Sequence, residues 1–257
     1  MLALLGEFLF SSWVYFRFVK DVTKRRHFSK RKLALTCKLI LKVLNIDLEV
    51  QGLDKIRAQH PGENFLVVSN HLSYVDVILM ETVFPMLFIT SVEVKNSFGL
   101  GAFVEYGACL FVERRNRNNI SGEITEITDA LKEGWNVMVF AEATSTNGDT
   151  VLPFKKSLFD SAILSGRKVL PLTLVYTEVN GNPIAPEVRD SIFYYGDIEF
   201  GTQFLAMLRL KSVKAKLFFL APLPTDPDRR VLAQKAHDGI STLYHAESPL
   251  ARRSVLS

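Results

Sequence analysis

FLVVSNHLSYVD, residues 65–76, sets an unbroken apolar run against an abrupt polar stop. Phe65 to Val68 carry no polar side chain, the mark of a strand buried on both faces of a parallel sheet. Val75 to Thr82 reads as the start of a helix, so the turn between the two elements holds Asn70 and His71, with Asp76 five residues after the histidine. Open α/β sheets place their chemistry at the carboxyl ends of strands. The stretch therefore predicts a site edge, with His71 as general base and Asp76 holding its ring, fixing the tautomer and stabilising imidazolium as it forms. No serine or cysteine nucleophile is then required. A turn-capping histidine and a helix-capping aspartate would give the same letters.

Working outward, Ile46 to Val50, Leu87 to Thr90, Ala108 to Val112, Asn136 to Ala141, Val169 to Tyr176 and Val213 to Leu220 read as further strands. Between them lie a helix capped by Ser121, with Ile124, Ile127 and Leu131 on one face and Gly134 at its stop, and a second from Ser157 to Ser165. Arg229 to His245 closes as an amphipathic helix, and Gly52 to Gly62 reads as a turn-rich connection. Strands alternating with helices predict an α/β fold, a mostly parallel sheet flanked by helices. Three other strands deliver Arg114, Glu142 and Pro171, which are expected to converge with His71 at one sheet edge.

With 257 residues the chain fits one α/β domain with additions. Cys37 and Cys109 lie in apolar surroundings, which suits a reducing compartment without a structural disulfide. The net charge of +4 is unevenly spread: residues 1–45 hold ten Lys/Arg against Glu7 and Asp21. Those cations flank two apolar segments, Leu2 to Phe18 and Leu33 to Leu44, which suits an anionic membrane surface better than nucleic acid. The uncharged stretch between Glu7 and Arg17 is about half of the ~20 residues a spanning helix needs. Residues 1–45 are accordingly expected to form a membrane-interfacial helical hairpin joined by a cationic turn, ahead of a catalytic domain over 46–257. The expected location is the cytoplasmic face of a membrane, monotopic or peripheral.

Four ordered blocks carry a family resemblance. SNHLSYVD (69–76) resembles the NHx4D motif of the glycerolipid acyltransferases, the superfamily that includes lysophosphatidate acyltransferase. GACLFVER (107–114) is similar to its second motif, FAEATS (140–145) stands where the family has FPEGTR, and VLPL (169–172) resembles the fourth, proline-containing motif. The resemblance implies that His71 deprotonates an acceptor hydroxyl, which attacks the thioester of acyl-CoA or acyl-carrier protein, with Asp76 as orienting partner. It further implies substrate-binding roles for Gly107, Phe111, Arg114, Glu142, Ala143 and Thr144, with Arg114 at the acceptor headgroup. Membrane lipids and the acyl donor are the implied partners, with no metal, no bound cofactor and no nucleic acid.

Departures from the pattern bear on the acceptor. Ala141 and Ala143 replace a proline and a glycine, Ser145 replaces the arginine, and Ser91 stands where many members have a lysine. Charge-assisted bonds to phosphate are among the stronger polar contacts, so these changes put lysophosphatidate in question more than acyl transfer. TSTNG (144–148) also resembles the variant turn of lyso-ornithine lipid acyltransferases. A rival of another class is a membrane lipid-binding protein without turnover, whose mark would be a broken His/Asp pair.

Overall fold

The structure, a computed structural model, describes residues 2–91, 109–112 and 120–254. Its strands are β1 (Ile46–Gln51), β2 (Leu66–Ser69), β3 (Leu87–Ser91), β4 (Leu110–Val112), β5 (Val137–Phe140), β6 (Val169–Val179), β7 (Asn182–Pro183) and β8 (Val213–Phe219). They form one sheet in the order β1-β8-β6-β2-β5-β3-β4, with the short β7 paired to β6. The five strands from β6 to β4 are mutually parallel. At β6 the direction reverses: β8 runs antiparallel to β6, and β1 parallel to β8. The sheet is thus mostly parallel, as expected, with a reversed pair of strands that local sequence patterns do not distinguish.

All four residues of β2 are buried, which is why its sequence is a continuous apolar run rather than an alternating one. Its neighbours β5 and β6 run alongside it in register, Val68 facing Val139 on one side and Pro171 on the other. Pro171 therefore lies inside the sheet and not at its edge. The residue that β6 delivers toward the site is Tyr176, farther along the strand. Because β8 is reversed, its start at Val213 pairs with the finishing end of β6 at Val179, while its finish at Phe219 pairs with Leu172, level with the end of β2 at Ser69.

The helices are α1 (Leu2–Phe18), α2 (Val22–Val43), α3 (Leu53–Gln59), α4 (Val75–Glu81), α5 (Ile120–Lys132), α6 (Asp160–Ser165, preceded by a tight turn over Lys156–Phe159), α7 (Pro186–Arg189), α8 (Phe200–Leu208), α9 (Arg229–Glu247) and α10 (Pro249–Ser254). Ser121 is the second residue of α5 rather than its cap. The Gly52–Gly62 connection contains α3, which buries Leu53 and Ile56.

The amino-terminal region differs from expectation. Its cationic stretch is no turn: it forms the first half of α2, one continuous helix capped by Asp21, whose carboxylate accepts Lys24 N–H at 2.9 Å. A helix of 22 residues with Leu33, Cys37, Ile40 and Leu41 buried is part of the packed interior as well as of the surface. Helix α1 is held to it by the Tyr15–Phe28 ring stack, with centroids 4.0 Å apart, and by Lys32 Nζ to Glu7 at 2.6 Å. Lys30 reaches the other way, to Glu81 at the end of α4, in a buried ion pair of 3.0 Å. Among the described residues no helix is long and apolar enough to cross a membrane.

Candidate active site

β2 ends at Ser69, and the side chain of Asn70 turns back into the sheet. Its Oδ1 accepts Leu174 N–H and its Nδ2 donates to Leu174 O, both at 2.9 Å, so the amide continues the β2–β6 ladder where the backbone leaves it. That locks the direction in which His71 departs. The His71 N–H donates to Glu142 Oε1 at 2.8 Å, and its carbonyl accepts Thr146 N–H at 2.9 Å. Its ring stacks on Phe140 with centroids 3.8 Å apart. The backbone and ring of the histidine are thereby held from β5 and the turn that follows it.

His71 Nδ1 lies 2.9 Å from Asp76 Oδ2. The same oxygen accepts Leu72 N–H at 2.7 Å and Ser73 N–H at 3.0 Å, so it acts as acceptor and Nδ1 carries the hydrogen. Tyr176 closes the set, its hydroxyl donating to Asp76 Oδ1 at 2.7 Å. Asp76 has no exposed surface, whereas the His71 side chain keeps 20 % of its own. Nε2 makes no hydrogen bond with the described residues and holds its lone pair toward the open side. Such an arrangement takes a proton at Nε2 and stabilises the resulting imidazolium through Nδ1.

Glu142 is the second buried acid here. Its Oε1 accepts the His71 N–H and its Oε2 accepts Leu152 N–H at 2.7 Å, clamping the β2 turn to the strand-like segment after the 141–150 loop. Burial pushes its carboxyl up to about 7, against the opposing pull of these two donors. Between the two contacts the chain makes a tight excursion. Gly148 sits there at φ +81°, and an added Cβ would stand 2.5 Å from the Phe193 ring. Ala143 adopts φ +60°, a left-handed conformation at the position where the sequence pattern has glycine.

The matching family model is Acyltransferase, which covers residues 47–175, half of the chain and all of the residues just described except those beyond β6's middle. The chain belongs to the acyltransferase family. It is 32 % identical over 213 residues to a 1-acyl-sn-glycerol-3-phosphate acyltransferase of Neisseria gonorrhoeae, covering 82 % of this chain and 80 % of that protein. It is 30 % identical to a lyso-ornithine lipid O-acyltransferase of Brucella abortus (strain 2308), covering 73 % of each. In fold it is similar to the crystal structure of the 1-acyl-sn-glycerophosphate acyltransferase PlsC of Thermotoga maritima, with a TM-score of 0.64 at 22 % identity over 94 % of this chain and 87 % of that one.

In this acyltransferase the structure brings His71, Asp76 and Glu142 together. Ala143 and Thr144 sit on the exposed turn beside Glu142. Phe111 lies in β4, its backbone opposite Thr90. Gly107 and Arg114 fall outside the described residues. Ser145, in the place of the motif's arginine, uses its hydroxyl to bond Tyr194 O and serves the turn rather than facing outward as a cation would. Backbone N–H groups of residues 71–73 are all engaged, by Glu142 and Asp76, so they cannot serve an oxyanion. Two contributors were missed by sequence reasoning. Phe140 was in view as a motif letter, yet its stacking on His71 needs the β2–β5 register. Tyr176 lies one hundred residues from Asp76, and nothing local to either pairs them. Among the described residues no group of three or more His, Cys, Asp or Glu could hold a metal ion.

Proposed function

We propose that this acyltransferase moves a fatty acyl chain from a thioester donor, acyl-CoA or acyl-carrier protein, to the free hydroxyl of a lyso-lipid, with His71 as general base and Asp76 as its orienting partner. The observation that carries this is the 2.9 Å Nδ1–Oδ2 contact, with Asp76 held by three further donors and Nε2 left free. Nε2 takes the hydroxyl proton as the oxygen attacks the thioester carbon. The C–O bond forms, the C–S bond breaks, and the imidazolium returns the proton to the departing thiolate. Glu142 holds the His71 backbone, and Thr144 with Ala143 shapes the acceptor side. With residues 71–73 spent and the Ala143 N–H bonded to Phe140 O at 2.9 Å, the next N–H groups of the turn, those of Thr144 and Ser145, are the candidate oxyanion donors.

The acceptor is a lysophospholipid such as 1-acylglycerol-3-phosphate. A second reading, lyso-ornithine lipid, is favoured by one feature: Ser145 replaces the arginine and spends its hydroxyl on Tyr194 O. The enzyme works at a membrane surface, where Phe10, Trp13 and Phe18 stand exposed along α1 beside the cations of α2.

The test is direct. Purified protein given labelled acyl donor and a panel of lyso-lipids should form diacyl product with one class of acceptor. His71→Ala should lower turnover by about 10²–10⁴ while its unfolding transition stays cooperative. Turnover within tenfold of the parent would remove His71 as the base.

A further inference from the structure

Helix α8 is apolar on nearly every side, FGTQFLAML, and lies beyond the family-model match. Its inner side is fastened to the active-site turn. Gln203 is buried and accepts the Tyr74 hydroxyl at 2.7 Å, while the Tyr74 ring stands 5.1 Å from that of Phe200. Tyr74 lies between His71 and Asp76, so wherever α8 sits, the site's mouth sits beside it. The outer side carries Leu205 and Leu208, Leu205 with 57 % of its surface exposed.

Soluble surfaces scatter large apolar side chains singly. Among the described residues this chain concentrates them on α1, α2 and α8, with Leu35, Leu39 and Val43 in line along α2. α2 and α8 end together. Asn45, just past α2, donates from Nδ2 to Lys211 O at 2.6 Å and accepts Val213 N–H at 3.1 Å. Around this junction Lys38, Lys42, Arg209 and Lys211 are exposed, and none pairs with a carboxylate among the described residues. An open cleft of about 530 Å³ at the same place is lined by Lys38, Lys42 and Lys214, the last bonded to Glu178 at 2.9 Å. Glu199, the residue before α8, lies at its opposite end and accepts Thr202 Oγ1.

Nine residues of helix span roughly 14 Å, about half the hydrocarbon thickness of a bilayer, so α8 can lie along a leaflet but not cross one. We propose that α8 is a second contact of this enzyme with a lipid bilayer, lying on an anionic leaflet with Leu205 and Leu208 among the acyl chains and Arg209 and Lys211 at lipid phosphates, so that the His71 turn opens at the bilayer surface. This rests on the membrane placement given under Proposed function, and it explains why the helix fastened to the active-site turn is the one with the apolar outer face.

The experiment uses the full chain and vesicles of phosphatidylcholine with or without phosphatidylglycerol, scored by co-sedimentation and independent of turnover. Leu205→Ser with Leu208→Ser changes two exposed side chains, so the unfolding midpoint should hold while binding weakens about tenfold or more. Arg209→Glu with Lys211→Glu should abolish the gain that phosphatidylglycerol gives the parent. Parent binding matched by both double variants overturns the assignment of α8 and leaves the membrane placement standing. No binding by the parent, with acyl transfer still seen in micelles, overturns both but not the enzyme's chemistry. Should the serine variant alter only self-association in sedimentation, the face is a contact between copies and the proposal fails.

Discussion

Glu142→Gln offers a quantitative test of what holds the active-site turn. The carboxyl group receives two backbone N–H bonds, 2.8 and 2.7 Å, one on each oxygen, and keeps an acceptor lone pair on both oxygens whether protonated or ionised. An amide keeps one acceptor and turns its NH₂ toward the other donor, leaving a buried N–H unpaired at a cost of about 1–3 kcal/mol. On this count the variant is less stable than the parent. The pH dependence of the difference then tells whether burial or the donors dominate. Burial raises the Glu142 carboxyl from its ordinary 4.5 to about 7. A group whose folded pKa is raised contributes stability that is complete below its unfolded value and is lost as pH climbs through the folded one. The parent's advantage over Glu142→Gln should therefore be greatest near pH 4.5 and shrink toward pH 8, by at most about 3 kcal/mol. Glu81, also raised to about 7 by burial, titrates in the same window but is common to both proteins and cancels. Urea unfolding of both proteins at half-unit pH steps gives the curve. An advantage that grows with pH would refute the reasoning, because it would mean that the two N–H donors outweigh burial and hold Glu142 below the ordinary carboxylate range.

Two further outcomes follow from the structure. Ala143→Gly should stabilise the protein by about 0.5–1 kcal/mol, since the left-handed φ of +60° strains alanine but not glycine; a lower unfolding midpoint would show the turn gains from the methyl group. Lys30→Met should cost about 3–5 kcal/mol by stranding Glu81 in the interior, and Lys30→Met with Glu81→Leu should recover most of it in the same urea titration; no recovery would mean the pair is not what binds α2 to α4.

Which parts of this fold could be read in advance depends on whether the deciding interaction is local. β2 and β5 announce themselves because a strand covered on both faces must be apolar throughout, β8 because Val213 to Lys216 alternates buried and solvent-facing residues, and the His71–Asp76 pair sits within one turn of chain. Helix α3 did not, because seven residues with only Leu53 and Ile56 buried look like a connection. The reversal at β6–β8 was invisible, since strand direction is settled by the connection and not by the strand's own letters. The bond from Tyr176 to Asp76, and the left-handed backbone at Ala143, emerge only once distant segments are packed together.

The buried Lys30–Glu81 bridge has a practical meaning for anyone seeking a shortened form of this enzyme. A helix that both packs into the core and neutralises an acid at the far end of α4 cannot be trimmed away as an accessory. Cutting ahead of β1 would leave a bare carboxylate and an unroofed core where Leu33, Cys37, Ile40 and Leu41 had been. Changes to this region belong at exposed positions such as Leu35, Leu39 and Val43, with the helix itself left in place.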